Sequence, residues 1–188
     1  MRISKTLYVS NKADWRRWLK KESKIEKEIW LIYYKKSSGH PRIPYNDVVE
    51  EALCFGWIDN TAKTIDEKRF AQRFTPRRRG SKLSQMNLER IKKLVLEKRM
   101  TAAGFAAVSH VFDPNSPDMF VIATDILDAI RADKNAWENF QCFTERYKRI
   151  RIGYIESQRC HSNEAFQKSL SNFIKKTAKN KKFGFVRE

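Results

Sequence analysis

The run EIWLIYYKK, residues 28–36, constrains the fold of this chain more than any other stretch. It is β-branched and aromatic, it is short, and it stops at Ser37-Ser38-Gly39. That combination predicts a strand buried on both faces at its middle, not a helix. Such a strand needs sheet neighbours and helices to cover it.

Both are legible. Two further strands are predicted at about 57–65 and 69–75, joined as a hairpin across Asp66-Glu67-Lys68. In the second, Phe70 and Phe74 alternate with Ala71 and Arg73, which gives one core face and one partly charged face. Pro76 ends it. Ahead of the sheet, Asn11 and Asp14 start a helix over about 12–22, with Trp15, Trp18 and Leu19 on one side. YNDVVEEALCFG is a second helix whose buried side is Val48, Val49, Ala52, Leu53 and Phe55, stopped by Gly56. Its paired carboxylates Glu50 and Glu51 read as a response to the helix dipole. Ser84 caps a helix at about 85–98, and Thr101 caps the short apolar AAGFAAVSHV.

FDPNSPD, residues 112–118, is the clearest punctuation and the expected boundary between domains 1–112 and 113–188. Every later segment is helical in pattern, at about 124–132, 134–142, 144–157 and 163–179, with Ser162 or Asn163 as the last cap. The basic tail KNKKFGFVRE is expected to fray. The predicted fold is therefore α+β: a small, mostly antiparallel sheet of three strands packed by helices, then a C-terminal helical unit.

Charge narrows the partners. The net charge is +17 over 188 residues, and it is uneven. Residues 63–99 carry 13 basic and 4 acidic groups and 146–188 carry 12 and 3, whereas 100–145 carry 2 and 7. Attraction to an anionic ligand, an acidic protein surface or nucleic acid follows. Cys54, Cys142 and Cys160 lie far apart, and Cys160-His161 lacks ligand spacing, so no metal and no cofactor is expected. Free thiols, an N-terminus without an apolar signal core and the lack of a long apolar run predict a cytoplasmic protein with no transmembrane segment.

Seven blocks, DWRRWL, EIWLIYYKKSSG, EEALCFGWID, RFTPRRRGSKLSQMN, RIKKLVLEKRMTAAG, YIESQR and NFIKKTAKNKKFGF, together resemble the YdeI/OmpD-associated family, whose members are also labelled bacteriocin-protection proteins. The resemblance spans nearly the whole chain, and EALCFGWID…RFTPR is its most specific part. It implies a link to tolerance of antimicrobial peptides and to an outer-membrane porin, and no reaction. A strongly positive protein repels cationic peptides at long range, which disfavours sequestration by charge and favours an anionic target or envelope regulation.

Three functional classes remain, in this order. The first is a binding protein with an anion site where a strand gives way to a helix start: Trp57, Asp59, Arg73, Thr75, Arg77, Arg78, Ser84 and Asn87. There Asp59 is expected to hold the Arg73 fork, leaving Arg77 and Arg78 for the ligand and the helix start at Ser84 for backbone donors. The bland alternative is that Asp59 and Arg73 only brace the hairpin while Ser84 and Asn87 serve the backbone. The second class is a nucleic-acid-binding protein using Lys63, Arg79, Lys82, Lys168, Lys175, Lys176 and Lys179, alongside a solvated basic face as its plain counterpart. The third is an enzyme of unknown reaction. No P-loop, G-x-S-x-G or H-E-x-x-H occurs, His40, His110 and His161 stand apart, and no catalytic residue is assigned.

Overall fold

Asn11 decides where the first helix begins, because its side chain accepts the amide N–H of Asp14 at 2.9 Å. A computed structural model describes residues 2–116, 120–184 and 186. Of the expected boundary, Pro117 and Asp118 lie outside the described residues, as do Phe185, Arg187 and Glu188 of the tail. The chain divides into two compact units, Met1–Lys82 with Arg90–Pro114, and Leu83–Glu89 with Asn115–Glu188.

The first unit is built on strands β1 (Thr6–Leu7), β2 (Ile29–Tyr34), β3 (Trp57–Thr64) and β4 (Arg69–Pro76) in the order β1-β2-β4-β3. β2–β4 and β4–β3 are antiparallel, and β1–β2 is parallel. The sheet is thus four-stranded and mixed, where the sequence predicted three strands. The missed strand is two residues long, too short to carry an alternation, and the backbone around it is held by bonds such as Trp30 N–H to the Lys5 carbonyl at 3.0 Å. With β1 on one side and β4 on the other, Ile29, Trp30 and Leu31 are all at most 1% exposed.

Helices α1 (Lys12–Glu22) and α2 (Tyr45–Cys54) close this core. Trp15 of α1 meets Phe74 of β4 edge-on at 5.6 Å and donates its indole N–H to the Val48 carbonyl of α2 at 3.0 Å. Trp18 meets Trp57 edge-on at 5.7 Å. Gly56 follows α2 at φ +75°, a conformation that only glycine adopts cheaply, and starts the turn into β3. Helices α3 (Gln85–Leu96) and α4 (Ala102–Val108) follow. Ser84 caps α3 by accepting the Asn87 N–H, and Thr101 caps α4 and donates its hydroxyl to the Cys54 carbonyl at 2.7 Å.

Four helices of the second unit, α5 (Thr124–Arg131), α6 (Lys134–Cys142), α7 (Glu145–Gln158) and α8 (Asn163–Thr177), match the predicted positions to within two residues. Ser162 is the cap of α8. The core here is Ile126, Ile130, Phe140, Phe143, Tyr147, Ile152, Ile155, Phe166, Leu170 and Phe173. Among the described residues no helix is long and apolar enough to cross a membrane.

Candidate functional site

The alternation of β3 and β4 sorts the predicted site residues onto two faces. Asp59 stands opposite Phe74, and Ile58 opposite Thr75, and residues directly opposite share a face. Asp59 therefore lies on the Phe74 side, away from Arg73 and Thr75. It accepts the phenol of Tyr45, whose own ionisation is pushed up by burial and by that bond. Arg73 turns instead to Glu28, donating from Nε to Oε2 at 2.6 Å. The expected Asp59–Arg73 pair does not form, because the strand register places the two side chains on opposite faces.

Trp57 is 1% exposed, and its indole N–H goes to the Ser23 carbonyl at 3.1 Å. It supports the neighbouring loop from below. Arg77 is half-buried: its backbone N–H reaches the Gly56 carbonyl at 2.8 Å, its guanidinium donates to the Ser81 carbonyl, and burial holds its pKa down. It pins the turn. Ser84 caps α3 by accepting the Asn87 N–H, and both residues belong to the second unit.

What the fold does bring together is Arg73, Thr75 and Arg78, on the face shared with Ile58. They line a groove of about 850 Å³ whose far wall is the segment Ser23–Lys27 leading out of α1. That wall adds Lys24, Lys27 and Ile25, which is 75% exposed. Asn60, at the β-bulge, donates to the Thr75 hydroxyl at 2.8 Å along the floor. Two carboxylates stand nearby and both are engaged, Glu26 with Lys5 and Glu28 with Arg73 and the Ser4 hydroxyl. Those contacts hold the Glu28 carboxyl below the usual range, Ser4 first and Arg73 second. Among the described residues no carboxylate pairs with Lys24, Lys27 or Arg78. The groove is cationic, with an apolar strip. Lys24, Lys27 and Ile25 carried no signal in the sequence, because a loop after a helix has no period to read.

The paired carboxylates of α2 serve a different end. Glu51 is 1% exposed and sits between Arg16 and Arg99, each at 2.6 Å, while Glu50 faces Arg99 at 3.6 Å and Lys93 at 3.9 Å. This is a buried ion-pair network that joins α1, α2 and the segment after α3, not a dipole effect at a helix start. The basic residues considered for nucleic acid divide between the units. Lys63, Arg79 and Lys82 are exposed in the first, and Lys168, Lys175 and Lys179 are exposed along α8 and just past its end, with Lys176 half-buried beside them.

Residues 7–107 match the family described as Domain of unknown function (DUF8412), more than half of the chain. Residues 119–180 match the family described as Bacteriocin-protection, YdeI or OmpD-Associated. The chain belongs to the DUF8412 family, and its residues 119–180 form a YdeI/OmpD-associated domain. The resemblance read from the sequence is borne out, with its seat displaced. The EALCFGWID…RFTPR block, which carried it most specifically, lies in the DUF8412 part, and YIESQR and most of NFIKKTAKNKKFGF lie in the YdeI/OmpD-associated domain. No curated protein and no solved structure matches the chain. The groove belongs wholly to the DUF8412 part.

Proposed function

We propose that this chain is a binding protein whose DUF8412 part takes an anionic partner, an acidic protein segment, in the groove between Ser23–Lys27 and β3–β4. The observation that carries the reading is the convergence of Lys24, Lys27, Arg73 and Arg78 on one groove whose two neighbouring carboxylates, Glu26 and Glu28, are already paired. Lys24, Lys27 and Arg78, with Arg73 held by Glu28 beside them, suit carboxylates, and the exposed Ile25 on the same groove as Ile58 suits an apolar side chain between them. The exposed thiols Cys142 and Cys160 support a reducing, cytoplasmic setting. In that setting the link of YdeI/OmpD-associated proteins to bacteriocin protection is met by capture of an acidic partner. Trapping of cationic peptides runs against the charge.

Binding of a short labelled peptide of glutamates and leucines, followed by fluorescence anisotropy, tests this. Arg78→Ala and Lys24→Ala are each expected to weaken it by about tenfold, with Lys175→Ala nearly silent. Equal losses from all three would point to diffuse electrostatics and sink the groove. A duplex DNA probe that binds tighter than the peptide, with a steep dependence on salt, would favour the nucleic-acid reading instead.

A further inference from the structure

The second unit holds a buried cation that no carboxylate among the described residues answers. Arg151 of α7 is 8% exposed, and its Nε–H finds no hydrogen-bond acceptor. No carboxylate reaches it among the described residues. Its guanidinium lies 3.9 Å from the centroid of Phe183 and 5.2 Å from that of Tyr154. Aromatic faces recover part of the lost hydration, but a buried guanidinium without an anion remains costly, and burial holds its pKa down. Folded proteins rarely keep such a charge without a use for it.

The same arginine lines a cavity of about 470 Å³. Arg151, Tyr154 and Gln158 recur at helical spacing on α7, and Lys168, Ser169 and Asn172 do so on α8, so two helix faces supply the walls. Phe183 completes the lining. Among the described residues the lining offers two cations, two amides and two hydroxyls, and no carboxylate. A guanidinium's planar fork is the group that grips a carboxylate or phosphate by two bonds. Two positive charges with several neutral donors match a dianion better than a single negative charge. Tyr154, 49% exposed, offers a ring beside that position.

We propose that this cavity is a binding site for a small phosphomonoester, whose dianion is held between Arg151 and Lys168. Gln158, Ser169 and Asn172 supply further hydrogen bonds. All of its lining except Phe183 lies in the YdeI/OmpD-associated domain, and none of it is shared with the groove in the DUF8412 part.

Titration of the ¹⁵N-labelled full chain with inorganic phosphate, then with phenyl phosphate, tests it. Saturable shifts of the Ser169 and Asn172 signals are expected, with phenyl phosphate the tighter of the two. Lys168→Ala is expected to weaken binding by about tenfold, and Arg151→Met to abolish it. Arg78→Ala, which disables the groove, is expected to leave these shifts unchanged. Phosphate should also raise the melting temperature of the unaltered chain, whereas Arg151→Met should melt no lower without phosphate and gain nothing from it. An absence of saturable shifts, or shifts that persist in Arg151→Met, overturns the proposal. Should Arg151→Met not fold, unchanged affinity in Lys168→Ala overturns it as well.

Discussion

Glu28 is where a single residue couples charge to fold. Its carboxyl accepts from Ser4 and from Arg73, and both bonds favour the ionised form, so its folded pKa lies below the usual carboxylate range. A group depressed in this way contributes stability above its unfolded pKa of about 4.3, and that contribution is lost as the pH falls through the lower folded value. Arg73→Ala should move the Glu28 titration upward, towards but not beyond the ordinary value, because Ser4 still donates. Carbon-detected NMR titration of the glutamate side chains reads this directly, and an unmoved Glu28 would show that Arg73 is not its partner in solution. The residue scale is also where the sequence was least legible. Glu28 and Arg73 are 45 positions apart, and Arg99 and Glu51 are 48 apart. Nothing in local spacing tells an arginine which distant carboxylate it will meet. Asp59 and Arg73 lie near the same end of the hairpin, and a register that sets Asp59 opposite Phe74 is enough to separate them.

At the scale of elements, periodicity carried the reading. Alternation in β4, aromatic density in β2, and apolar positions three and four apart in α1, α3 and α8 set the type of each element, and side-chain caps set several of the starts. What periodicity lacks is length below one repeat, which is why β1 was invisible, and contact between elements. Gly56 shows the second lack. The sequence marks it as a helix stop, but it is also a point of contact: a Cβ there would stand 2.8 Å from Ala107 Cβ and 2.9 Å from the Ala103 carbonyl oxygen. Gly56→Ala therefore meets strain at positive φ and a clash with α4 together. It should cost about 2–4 kcal/mol in denaturant unfolding, more than a loop glycine whose only duty is its backbone angle. A loss of less than about 1 kcal/mol would mean that α4 yields easily. Gly80, at φ +81° with open space around it, is the natural comparison.

For the molecule as a whole, each unit closes a core of its own and carries its own cationic concavity. One is lined by cations whose nearby carboxylates are already engaged, and the other is built around an arginine that no carboxylate among the described residues reaches. Net charge alone suggested a single basic character, but the fold makes the two places chemically unlike. The three cysteines are distributed just as unevenly. Cys142 and Cys160 are exposed in the second unit, and Cys54 is fully buried at the end of α2, beneath the Thr101 bond, with its thiol pKa raised by burial. The chain thus carries its own stopwatch. Under a thiol-reactive label two sulfurs should be consumed at once, and the third only as fast as the DUF8412 part opens, so mass spectrometry over time reads the opening of that one unit from inside the intact protein. If three labels arrive together, Cys54 is not sealed. If the third arrives sooner in Gly56→Ala, the seal at the end of α2 is the one that α4 keeps shut.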